Sequence, residues 1–205
     1  MQGEVVIHIV DDEEAVRKSL AFLLTAAGHA VRVHESAADF LALAGQLGNA
    51  CLLTDVRMPD MSGIELLHRL GETGAMLPTI VVTGHGDVPM AVQAMKAGAI
   101  DFIEKPFEDS VLLEAVGKAV AKIGNSSHAG NDASGAVRAR IDLLTERERQ
   151  VLIGLVKGLP NKSIAFDLEI SPRTVEVHRA HLMAKMQAKN LPELVRMALS
   201  ANIEL

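Results

Sequence analysis

Residues Leu52-Leu53-Thr54-Asp55-Val56-Arg57-Met58-Pro59 decide how the rest of the chain is read. The apolar run 50–54 is short, has no polar alternation and lies between Asn49 and Pro59, the pattern of a parallel strand buried on both faces. It ends on one carboxylate, Asp55. In open α/β sheets the carboxyl ends of the strands form the edge where ligands bind. Pro59, Asp60, Ser62 and Gly63 then break the chain before the next helix. A lone Asp in this position is more often a cap or turn residue, so what the other strands bring to the same edge decides its meaning.

Working outward, apolar runs at 4–10, 30–34, 78–83 and 100–104 read as four more strands. Helical patterns lie between and after them. The first opens at Asp11-Asp12-Glu13-Glu14 and runs to Ala27, with Gly28 as its stop. The second is capped by Ser36 and runs to about Leu47. Others run from about Gly63 to Leu70, from the cap Asp87 to Gly98, and from Asp109 to about Ile123. Five strands alternating with five helices predict an α/β fold with a doubly wound five-stranded parallel sheet.

The predicted strand ends carry Asp11 and Asp12, Asp55, Thr83, and Lys105. Three carboxylates at one edge repel unless a cation sits among them, and an oxygen-only set without a His or Cys cluster favours Mg²⁺. A carboxylate beside Mg²⁺, a hydroxyl and an ammonium suits phosphoryl acceptance: the cations neutralise the equatorial oxygens while Asp55 attacks in line. Singly, Asp11 and Asp12 read as helix caps and Lys105 as a surface lysine. Their coincidence on the correct strands favours the site.

Composition agrees with a globular chain: 205 residues, 49% hydrophobic, net charge −6. No apolar run approaches the roughly 20 residues that span a membrane. The N-terminus enters a strand pattern without an export signal, so a cytoplasmic location is expected. Cys51 is the single cysteine and reads as a small core residue. Without Trp or Tyr, the aromatic stacking of single-strand binders is not supported. Residues 1–123 hold 17 acidic against 9 basic side chains, whereas residues 138–205 hold 8 against 11. An acidic part followed by a basic part predicts two domains with different partners, the second nucleic acid. Between them, residues 124–137 are small and polar without apolar period and read as a linker.

Residues 1–123 resemble the receiver domain of two-component response regulators, on Asp11-Asp12, Asp55, Thr83-Gly84, Phe102 and Lys105-Pro106. The resemblance implies a flavodoxin-like sheet and Asp55 as phosphoacceptor. It implies Mg²⁺ held by Asp11, Asp12, Asp55 and the backbone carbonyl of Arg57. Thr83 and Phe102 would form a switch pair, and Lys105-Pro106 a cis peptide bond. It also implies a sensor histidine kinase as phosphoryl donor. Enzyme readings fail on residues: no Gly-rich phosphate loop follows the first strand, and phosphatases with an aspartyl nucleophile carry a second Asp where this chain has Arg57. Only self-phosphorylation and self-dephosphorylation are expected.

In residues 138–205, Thr145 and Glu148 form a capping box, and that helix runs to Lys157 before Gly158. Asn161 is expected to cap a second helix. Ser171 and Pro172 open a third that runs to about Met186, at N-cap and N1. A fourth starts near Leu191. Two helices joined by a tight turn at Glu169-Ile170 make a helix-turn-helix, whose second helix fits a major groove. Lys162, Arg173, Arg179 and Lys185 cluster there and favour DNA over a plain protein-binding bundle.

Thr145-Glu146-Arg147-Glu148, Asn161-Lys162-Ser163-Ile164-Ala165, Ile170-Ser171 and Thr174-Val175-Glu176-Val177-His178 resemble the LuxR/FixJ-type helix-turn-helix. With the receiver and the stretch 82–92, the whole chain is similar to response regulators of the FixJ type. The resemblance implies phosphate contacts by Lys162, Thr174 and Arg179, with Ser171, Arg173 and Lys185 beside them, and groove-facing Glu176, Val177 and Ala180. Glu176, where some relatives have Lys, either accepts from a cytosine amino group or orients Arg179 or Arg173. The family reading implies an oxygen-sensing kinase, nitrogen-fixation or microaerobic promoters, RNA polymerase as the activator's partner, and a homodimer formed on phosphorylation. Val92 and Lys96, with Asp101 and Glu104 opposite, are the expected dimer contacts. A receiver-linked protein-interaction adaptor that binds no DNA is the alternative.

Overall fold

The structure, a computed structural model, describes residues 5–74, 77–84, 86–124 and 131–201. Strands β1 (Val6–Val10), β2 (Ala30–His34), β3 (Ala50–Thr54), β4 (Thr79–Thr83) and β5 (Asp101–Glu104) form one parallel sheet in the order β2-β1-β3-β4-β5. Helices α1 (Glu14–Ala26), α2 (Ala37–Leu41), α3 (Gly63–Glu72), α4 (Val88–Lys96) and α5 (Asp109–Gly124) alternate with the strands. The strand order reverses between β1 and β3, the switch point at which such sheets open a crevice.

β3 and β4 are buried at every residue, because apolar layers cover both faces of the sheet. Ile7, Ile9, Leu53, Ile80 and Ile103 pack with Leu20 and Leu24 of α1 and Leu112 and Val116 of α5. On the opposite face Val10 and Leu52 pack with Phe40, Leu66 and Leu70. Each such side chain contributes roughly 1.5–3 kcal/mol by leaving water. Cys51 lies inside β3, where burial pushes its thiol up to about 12, which suits a small core residue.

The remaining helices are α6 (Asn131–Asp142), α7 (Glu146–Val156), α8 (Asn161–Asp167), α9 (Pro172–Met186) and α10 (Leu191–Ser200). Their core is Val151, Leu152, Leu155, Ile164, Val175, Leu182, Met186 and Leu194. The described residues fall into two compact units: the sheet with α1–α3 and α5, and α4 with α6–α10. Among the described residues, no helix is long and apolar enough to cross a membrane.

Three expectations change. The helix predicted over 36–47 starts as expected, with the Asp39 N–H donating to Ser36 Oγ at 3.1 Å. It then ends at Leu41, and Ala44–Gln46 form a 3₁₀ turn; Gly45 and Gly48 weaken helix propensity there. The linker predicted over 124–137 is helical from Asn131; residues 125–130, like His85 and Glu4, lie outside the described residues. Val137 and Ile141, one turn apart, bury against Leu144, so packing overrides a weak local propensity. Asn161 is the first helical residue of α8, with Pro160 at the N-cap. Its Oδ1 is buried without a hydrogen-bond partner, so it does not cap.

Candidate functional site

Register builds the first site. Val10 pairs with Thr54 across β1 and β3, so Asp11 and Asp55 leave the sheet side by side. Thr83 pairs with Glu104, which places Lys105 one residue beyond the same edge. Asp11, Asp55 and Thr83 are buried, at 2%, 8% and 1% exposure. The Lys105 ammonium donates to Asp11 Oδ2 at 2.9 Å and reaches Asp55 Oδ1 at 3.5 Å. The backbone holds both carboxylates too: the Arg57 N–H donates to Asp55 Oδ2 at 2.6 Å and the Glu13 N–H to Asp11 Oδ1 at 2.9 Å. The Lys105–Pro106 bond is cis.

Two carboxylates and one ammonium leave a net negative charge in this pocket. Burial pushes the Asp55 carboxyl up from its ordinary value; the Arg57 N–H and the Lys105 charge pull it down, and the Asp11 charge pushes it up again. The exposed Asp12 adds a further carboxylate at the rim. Oxygen donors with excess negative charge fit a hard divalent cation. The closed set of Asp11, Asp12 and Asp55 side chains expected from sequence is not assembled. Among the described residues no group of three His, Cys, Asp or Glu side chains is arranged to hold a metal ion; Lys105 and the Glu13 N–H engage Asp11 instead. Mg²⁺ characteristically keeps several waters and one or two carboxylates, which is what the edge offers. Phe102 is partly exposed, with its ring edge close to Gly86.

The second site is the outer face of α9. Ser171 accepts from the Thr174 N–H at 3.1 Å, and its hydroxyl lies 2.8 Å from that of Thr174. Glu169, in the left-handed region at φ 54°, makes the tight turn before it. Arg173, Glu176, Val177 and Ala180 line one shallow open depression. Lys162 is exposed on α8 and Arg179 partly exposed on α9.

Comparison with known proteins identifies the two domain types. The family model for the response regulator receiver domain matches residues 7–117. The model for bacterial regulatory proteins of the luxR family matches residues 142–198. The transcriptional regulatory protein FixJ of Rhizobium meliloti is 63% identical over 194 residues, 95% of each chain. The chain belongs to the FixJ-type response regulators. The FixJ of Azorhizobium caulinodans is 56% identical over 199 residues, 96% of this chain and 93% of that one. The crystal structure of full-length FixJ from B. japonicum matches with 46% identity, 96% of each chain and a TM-score of 0.58. The chain is thus a two-component transcriptional regulator with a receiver and a LuxR-type DNA-binding domain, outside the classical enzyme families.

Within this FixJ-type chain some expected site residues sit elsewhere than the sequence suggested. Lys185 does not face outward as a free phosphate contact. Its ammonium donates to Glu148 Oε2 at 2.7 Å and to the Leu143 carbonyl at 3.2 Å. Glu148, 3% exposed, also accepts from the Thr145 N–H at 2.8 Å. Burial pushes its carboxyl up, but Lys185 and both Thr145 hydrogen bonds outweigh that and hold it below its ordinary value. Val92, expected in an open apolar patch, is 1% exposed: Ala91, Ala94 and Met95 of the same helix are buried with it, so most of the circumference of α4 is covered. Lys96 and Glu104 are exposed, and Asp101 accepts from the Phe102 N–H at 2.9 Å.

Sequence reasoning missed two residues. A Cβ on Gly63 would lie 2.0 Å from the Asp55 carbonyl oxygen, so only glycine lets α3 start against the loop that carries Asp55. The Arg17 guanidinium donates to the carbonyls of Asp11 and Asp12, at 2.6 and 2.8 Å, fixing the turn after β1. Only the identity of Gly63, directly after a helix cap, was a signal.

Proposed function

We propose that this protein is a phosphorylation-gated transcription activator that accepts a phosphoryl group on Asp55 and then binds promoter DNA as a dimer. The observation that carries the reading is the Lys105 ammonium set between two buried carboxylates at the switch point of the sheet. Asp55 attacks the phosphorus of a phosphohistidine, a P–O bond forms, the P–N bond breaks, and imidazole leaves. Lys105 is placed to offset charge on the phosphoryl oxygens. Mg²⁺, which Asp11 and Asp55 would hold with waters and with Asp12 and the Arg57 carbonyl drawn in on binding, would supply further charge neutralisation. Thr83 and Phe102 would then rearrange toward the new group.

Similarity to the FixJ proteins supports control of nitrogen-fixation or microaerobic genes, a cytoplasmic location, an oxygen-sensing kinase as donor and RNA polymerase as the partner at the promoter. Dimerisation through Val92, Lys96, Asp101 and Glu104 requires α4 to be uncovered first. A dimer would set two recognition helices about 34 Å apart, one turn of DNA. Lys162, Thr174 and Arg179 would contact phosphates, so binding should weaken steeply with salt. Treatment with Mg²⁺ and a small acyl phosphate, followed by mass spectrometry and sedimentation, tests the reading. It expects one phosphoryl group on Asp55, none in Asp55→Asn, and a dimer only when phosphorylated. A phosphoryl group elsewhere, or a phosphorylated monomer at tens of micromolar, would overturn it.

A further inference from the structure

Arg173, Glu176, Val177 and Ala180 recur at i, i+3, i+4 and i+7 on α9 and line one depression open to solvent. Val177 is 48% exposed, an apolar side chain without cover. Glu176 is exposed, and its carboxylate takes part in no hydrogen bond or ion pair among the described residues. At the two ends of the helix polar groups are committed: Ser171 and Thr174 to each other at the cap, Lys185 to Glu148. An unpartnered carboxylate centred on a face that meets polyanionic DNA is repelled by phosphate unless a donor faces it.

We propose that Glu176 reads a cytosine in the major groove, with a neighbouring thymine methyl against Val177 and Ala180. The proposal rests on the DNA-binding reading above and goes on to name the base. The groove offers two kinds of donor, cytosine N4 and adenine N6. Adenine sets its N7 acceptor beside N6, which repels the second carboxylate oxygen. Cytosine sets only its apolar C5 edge there, so a carboxylate prefers it. Val177 and Ala180 present methyl groups flanking the carboxylate, and the thymine C5-methyl is the apolar group the groove provides. Arg173, one turn earlier, offsets the Glu176 charge toward the backbone phosphates.

The test is selection from a duplex library with a randomised central window, using the full chain treated with Mg²⁺ and acyl phosphate, as wild type, Glu176→Gln and Val177→Ala. Glu176 is exposed, so its isosteric amide keeps the fold. Wild type should enrich cytosine at one position of each half-site with thymine beside it. Glu176→Gln should move that position to adenine, which glutamine bonds through N6 and N7, a swing of about tenfold or more. Deoxyuridine in place of the adjacent thymine should weaken wild type a few-fold and weaken Val177→Ala less, since Ala180 still meets the methyl group. The proposal is overturned if Glu176→Gln enriches the same base, or if its affinity for all sequences changes in step, as when Glu176 only orients Arg173 or Arg179. A wild type that enriches nothing removes the DNA-binding reading itself, and this one with it.

Discussion

The carboxylate pocket at the sheet edge and the outer face of α9 solve opposite problems. In the pocket the carboxylates are buried and held in place: Lys105 bridges Asp11 and Asp55, with two backbone N–H groups in support. On the outer face of α9 Arg173 and Glu176 are exposed, and among the described residues nothing pairs with the Glu176 carboxylate. A buried site is pre-organised by the core around it, so removing one group is costly. An exposed face is specified by its ligand, so single changes there alter preference more than stability. Under the proposed function, this difference puts the chemistry on the sheet and sequence choice on a solvated helix.

Changes in the pocket break this contrast most strongly. Lys105→Met removes the ammonium between the two carboxylates and should slow phosphorylation by acyl phosphate on the order of 100-fold. Phosphate-affinity gel kinetics read it, and a rate within a factor of two of wild type would contradict the pocket's electrostatics. Next in size, Gly63→Ala forces a Cβ into the Asp55 carbonyl. It should cost about 3 kcal/mol by chemical denaturation of the receiver unit and slow phosphorylation with it; an unperturbed melt would show that the loop gives way freely.

The helical unit carries a buried charge of its own, which sharpens the comparison. Glu148→Leu removes the capping-box return and strands Lys185, whose side chain is 36% exposed and can turn to water. It should cost about 2 kcal/mol in the α6–α10 unit and leave Asp55 phosphorylation unchanged. A double-mutant cycle with Lys185→Met measures the pair; zero coupling would contradict the observed contact.

The smallest effect separates the two units by pH. His8 Nδ1 and His34 Nε2 are 2.9 Å apart across β1 and β2, under Phe40. Burial, with the charges of His34 and Arg32, lowers His8 from 6.5 to about 4. Burial lowers His34 as well, Asp39 pulling it up and Arg32 down. A histidine depressed in the folded state contributes stability above its unfolded value, which is lost as pH falls from 6.5 toward about 4. Glu148 is depressed from 4.5, so its contribution is lost only below that value. Denaturation of each unit against pH, in an Asp55→Asn background to remove the opposing shift at Asp55, should show the receiver weakening first. Simultaneous loss would contradict the assignment.

The fold was legible because each strand is a short apolar run closed by turn residues, and because the polar residues at strand ends need no tertiary information to be placed. The α4 burial was not legible: Val92 has the same spacing whether it faces solvent or core. Nor was α6, whose Val137 and Ile141 supply too little periodicity beside Gly, Asn and Ser. Nor was the Lys185–Glu148 pair, because charge alone does not say which way a lysine reaches and Glu148 has a complete role in the capping box without it.

The central claim is that charge on Asp55 gates DNA binding by a helix in the other unit. Fluorescence anisotropy of the full chain on a selected duplex, with and without Mg²⁺ and acyl phosphate, tests it in wild type and Asp55→Asn at one fixed salt concentration. The account expects phosphorylation to tighten wild-type binding by roughly tenfold or more, about 1.4 kcal/mol, and to leave Asp55→Asn unchanged. Equal affinities in wild type with and without phosphorylation, or an equal gain in Asp55→Asn, would contradict it.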